Sequence, residues 1–137
     1  MQKTITIEEA LGMLNDSKPD LGPRTYQEGQ VMQQGDIYIH PVPFDHPHGP
    51  SMGGHRQLAI GDTKGSRHML EGDVEVFVGT KVPAGVDEQT PLGPMFIVKS
   101  ETARAPHPEH PEWIGITLGA YQVTHQINAL TGERVND

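Results

Sequence analysis

Two histidines, a glutamate and three prolines fill six consecutive positions, Pro106-His107-Pro108-Glu109-His110-Pro111, with Trp113 close behind. Neutral imidazole nitrogens bind divalent transition metals, and a carboxylate beside them can ligate or act as a general base. Prolines fix φ and remove backbone donors, so the segment reads as a stiff, non-helical loop that holds its side chains at a set geometry. His68, expected on a short strand between turns, would supply a third imidazole. The sharper expectation is therefore a mononuclear metal site with His68, His107 and His110 as ligands. Water would fill an open position, and Glu109 would be a ligand, a hydrogen-bond partner of a ligand, or the base. Three nitrogens plus water suit Zn²⁺, Fe²⁺ or Mn²⁺. The opposing expectation is that these histidines are hydrogen-bonded scaffold on the rim of a β domain.

Other chemistries find less support. Gly61-Asp62-Thr63-Lys64-Gly65-Ser66 lacks the spacing of a phosphate loop and no helical pattern follows it. Ser51, Ser66 and Ser100 do not sit in a nucleophile-elbow context. Tyr38, Trp113 and Tyr121 are too dispersed for a base-stacking platform, and core packing accounts for them. His46 and His48 flank Pro47 in a turn-rich stretch, residues 43–54, that reads as a solvated loop.

The elements that must position these residues are short. Sixteen glycines and twelve prolines in 137 residues call for many turns and short strands. Ile37–Val42 alternates, with Tyr38 and His40 on one face and Ile37 and Ile39 on the other; Pro41 marks an edge or a strand exit. Residues 55–60, a short piece carrying His68, and Asp73–Val78 are further strands. Met95–Lys99 is the most apolar and is expected at the centre. Residues 113–118 and 121–127 read as a closing pair turned at Gly119-Ala120, and residues 79–94 as loop. Thr6 and Glu9 form a capping box for a short helix from about Ile7 to Asn15, whose apolar stripe is packing. The fold class is mainly β, a small sandwich or barrel of about seven strands with that short N-terminal helix. Residues 1–34 are expected as helix and polar arm, 35–127 as the β domain, and 128–137 as a polar tail.

Composition narrows the partners. A net charge of −8 with scattered lysines and arginines argues against nucleic acid. No apolar run approaches the ~20 residues that span a bilayer, so a protein of the cytoplasm, or of a particle assembled there, is expected. The absence of cysteine removes disulfides and thiolate ligands.

Three segments together resemble an uncharacterised family of small proteins from bacteria and their phages or mobile elements. Gly61 to His68 is similar to its Gly-Glu-x-Thr-Gly-His-x-His motif, His107-Pro108-Glu109-His110 to its His-x-Glu-His loop, and Leu118 to Gln126 to its Leu-Pro-x-Gly-x-Tyr-x-Val-x-x-Gln motif. The resemblance spans about residues 35–126 and implies the architecture and the place of the site, with no reaction attached. Ser66 stands where the first histidine of the His-x-His pair is expected, and Gly119 follows Leu118 without the intervening proline. Two functions follow as expectations. One is a metal-binding, hydrolase-like domain with Glu109 as base to a metal-bound water. The other is a non-enzymatic phage or mobile-element assembly protein whose arm at 16–34 contacts neighbouring subunits.

Overall fold

Strand alternation decides which side chains meet, and it works as expected in the middle of the chain. The computed structural model describes residues 22–58, 68–108 and 110–126, and among these it contains nine strands in two sheets and no helix. They are β1 (Arg24–Thr25), β2 (Met32–Gln34), β3 (Ile37–Val42), β4 (His48–Ser51), β5 (Val74–Gly79), β6 (Leu92–Val98), β7 (Ala103–Ala105), β8 (Trp113–Ile116) and β9 (Gly119–His125). The six-stranded sheet runs β2-β3-β9-β6-β5-β4, and the three-stranded sheet β1-β8-β7. Ile37 and Ile39 of β3, Val74 and Val76 of β5, and Phe96 and Val98 of β6 are buried. They join Ala103, Ala105, Trp113 and Ile116 from the small sheet in a single apolar cluster. The expected helix at Ile7 to Asn15 and the tail at 128–137 lie outside the described residues.

Met95–Val98 is central as expected, between β9 and β5, but the strand starts at Leu92 inside the stretch read as loop. Gly93 and Pro94 hid it, and a bulge reconciles them with the sheet. Leu92 pairs with Thr124 and Met95 with Gln122, so β6 takes three steps where β9 takes two. The fully buried Gln122 reclaims the displaced carbonyls, its Nε2 donating to Gly93 O at 3.0 Å and Pro94 O at 3.2 Å. Gly79 faces this bulge, and a Cβ there would run into the Gly93 carbonyl oxygen.

The expected closing pair at 113–127 does not form. β8 pairs with β7 and β1 in the small sheet, while β9 starts at Gly119 in the large one, so Gly119-Ala120 belongs to a strand. Gly115, at φ 69°, lies in this stretch in a conformation that glycine adopts without strain. Tyr121 then stacks on Phe96 at 5.1 Å and donates its hydroxyl to Thr117 O at 2.6 Å.

Residues 22–34, the second part of the segment expected as an arm, carry two short strands. β1 lies parallel to β8, β2 pairs with β3, and Tyr26, Met32 and Gln34 are buried. A two-residue and a three-residue strand leave too little pattern for periodicity to register. β4 emerges from the supposed solvated loop at 43–54 as an edge strand, where Pro50 lacks a donor at little cost. There His46 is buried with Nε2 2.9 Å from Lys81 O, and the exposed His48 lies 4.2 Å from the Phe77 ring. Pro41 is tolerated in β3 because β2 ends opposite Ile39, leaving Pro41 paired only with β9.

Candidate functional site

The proline loop joins β7 to β8, and the pairing of Ala105 with Trp113 sets its width. Arg104 grips Glu112 across this base with two contacts, Nε to Oε2 at 2.9 Å and Nη2 to Oε2 at 2.6 Å. The pair is exposed, which limits its worth to under about 1 kcal/mol.

The stronger clamp comes from β2. Trp113 Nε1 donates to Gln33 O at 2.9 Å, and Gln34 Nε2 donates to Ala105 O at 2.8 Å and to Pro111 O at 3.2 Å. Gln34 shares the inward face with Met32, so its carboxamide is sealed and must find partners inside. Two carbonyl acceptors orient that carboxamide with Nε2 toward the loop and Oε1 toward His68.

His68 has no solvent exposure. Its Nδ1 lies 3.0 Å from Gln34 Oε1, and its Nε2 lies 2.9 Å from Asp36 Oδ1. A carboxamide oxygen and a carboxylate only accept hydrogen bonds, so both ring nitrogens of His68 must donate. That is the imidazolium form, paired with a carboxylate that is itself 3% exposed. Asp36 is held in turn through its backbone, where Gln126 N donates to Asp36 O at 2.8 Å.

The loop histidines do converge on this centre. The ring of His107 lies 4.5 Å from His68 and 4.6 Å from His110, while His68 and His110 are nearly parallel at 6.5 Å. His107 and His110 are half-buried, and Glu109 lies outside the described residues. Three imidazoles from distant positions thus share one site, but with both nitrogens directed at protein oxygens His68 presents no lone pair to a metal as placed. Among the described residues no three His, Asp or Glu side chains have the geometry to hold a metal ion. His107 and His110 are the pair that could still share one.

Sequence reasoning passed over Gln34 and Asp36. Gln34 falls inside the segment expected as a polar arm, and Asp36 precedes the strand at Ile37 without a motif of its own. The signal was present in Met32-x-Gln34, a polar residue in phase with an inward apolar one.

A six-stranded and a three-stranded sheet sharing one core, with an imidazole cluster at a proline loop, define a mainly β domain. The chain belongs to an uncharacterised family, a domain of unknown function (DUF8820), which it matches over residues 33–126. No curated protein and no solved structure matches it. No helix among the described residues is long and apolar enough to cross a membrane.

Proposed function

We propose that this chain is a non-enzymatic interaction or assembly module whose histidine cluster braces the proline loop. The observation that carries this reading is the double engagement of His68 by Gln34 and Asp36. A general base or a ligand needs an available nitrogen lone pair, and a doubly donating, sealed imidazolium has none to offer. The same contacts give His68 a structural task, since Gln34 links it to both ends of the loop. The test is the ¹⁵N spectrum of the His68 ring at neutral pH, together with elemental analysis of untagged protein and its mass in solution. Two protonated ring nitrogens, no stoichiometric metal and a defined multimer support the reading. One transition metal per chain, lost on His107→Ala, overturns it.

The 4.6 Å approach of His107 to His110 favours a second reading. In it these two rings would share a divalent ion with Glu109, which would then serve as the base in hydrolysis. Metal that survives His68→Phe but not His110→Ala would select this arrangement.

A further inference from the structure

The other face of β3 carries a separate feature. Tyr38 and His40 point away from the core residues Ile37 and Ile39, beside Thr124, the register partner of Tyr38 on β9. The turns between β5 and β6 flank the same end of the sheet and add Val86 and Thr90, while Gln126 closes the strand end. Their backbone is set by internal bonds, Val86 N to Pro83 O at 3.1 Å and Thr90 N to Asp87 O at 2.9 Å. His125 N donating to Pro91 O at 2.9 Å anchors them to the sheet. Between these parts lies an open cleft of about 440 Å³, within the range of small-molecule sites.

We infer that this cleft binds an uncharged, hydroxyl-rich ring, a neutral mono- or disaccharide. Among the described residues the lining contains no lysine, arginine, aspartate or glutamate, so no fixed charge among them compensates a charged ligand. Its polar groups are the hydroxyls of Tyr38, Thr90 and Thr124, the imidazoles of His40 and His125 and the Gln126 carboxamide, each able to donate and accept. Sugar hydroxyls need that dual capacity at every position. His40 is already oriented, with Nε2 2.9 Å from Thr124 Oγ1. Tyr38 supplies an aromatic ring for the C–H side of a sugar, and Val86 adds aliphatic surface to the same lining. A flat base can also stack on one face, and only a slot between two parallel rings would favour it over a sugar. The Tyr38 and His40 rings are tilted by 46° with centroids 6.3 Å apart, which does not provide that slot.

The experiment is amide NMR on the full chain titrated with glucose, galactose, mannose, maltose and cellobiose, and separately with adenosine, each to roughly 10 mM, the scale of weak binding. Saturable shifts with at least one sugar, confined to residues around 38–40, 86–90 and 124–126, are expected. Tyr38→Ala should weaken them about tenfold, the scale of a lost aromatic contact. Val86→Trp, which fills the cleft from a surface turn, should abolish them while leaving the rest of the spectrum in place. No saturable shift with any of the five sugars overturns the inference, as does binding of adenosine alone. Sugar shifts that map elsewhere or survive Val86→Trp overturn it too.

Discussion

His68 and His40 are the same side chain in opposite electrostatic settings. His68 is sealed between Gln34 and Asp36, and two fixed acceptors demand that it carry charge. His40 is half-buried with one hydroxyl partner, and desolvation pushes its pKa below the ordinary 6.5, toward the neutral ring. Burial alone disfavours an imidazolium; burial with a carboxylate and an oriented carbonyl oxygen favours it. Depth therefore does not tell what a histidine does. Its acceptors do.

Removing an acceptor from the sealed histidine should have the largest effect. Asp36→Ala leaves the imidazolium without its counter-charge, and the loss should be about 3 kcal/mol in urea unfolding. Replacing both partners, Asp36→Leu with His68→Phe, should recover part of it. A single-mutant loss under about 1 kcal/mol would break the contrast with His40.

Gln34→Leu comes next. It strips donors from Ala105 O and Pro111 O and an acceptor from His68 Nδ1, at a cost of about 2 kcal/mol. Faster amide exchange at Trp113 and Ile114, with β5 and β6 unaffected, would show that Gln34 holds the loop. Uniform loosening of both sheets would deny it that role.

Tyr121 tests burial without a counter-charge. Desolvation is the main cause that raises its pKa to about 12, and Tyr26 adds to the rise. The unfolded chain ionises this phenol near 10 while the fold keeps it protonated, so stability should decline as pH climbs from 10 toward 12. Phenolate absorbance should show one of the three tyrosines titrating late, and Tyr121→Phe should remove that late phase. Three tyrosines ionising together near pH 10 would contradict the burial argument.

The smallest effect belongs to His40. Because its folded pKa lies below 6.5, the unfolded chain takes up the proton first, and stability falls as pH drops below about 6.5. His40→Asn should flatten that part of the pH–stability curve slightly. An unchanged acid limb would mean that another group governs it.

How much of this could be read from the chain follows the length of each pattern. Ile37–Val42 and Val74–Val78 repeat at period two for long enough to declare their faces, and the structure keeps those faces until Val78 runs past the core into solvent. Leu92–Val98 was half visible because Gly93 and Pro94 look like loop until Gln122 satisfies the bulge. β1, β2 and β7 have two or three residues each and carry no periodicity. The gathering of His68, His107 and His110 was expected from residue type. The direction of the His68 nitrogens was not, since it depends on Gln34 and Asp36, more than thirty positions away.

The sequence by itself determined a mainly β, cysteine-free domain with two of its eight histidines on a proline-stiffened loop, because composition, alternation and fixed φ angles are local properties. The tertiary structure alone decided which sheet each short strand joined and whether a gathered histidine offered a lone pair or a proton. Pairing, burial and acceptor placement depend on residues brought together from across the chain.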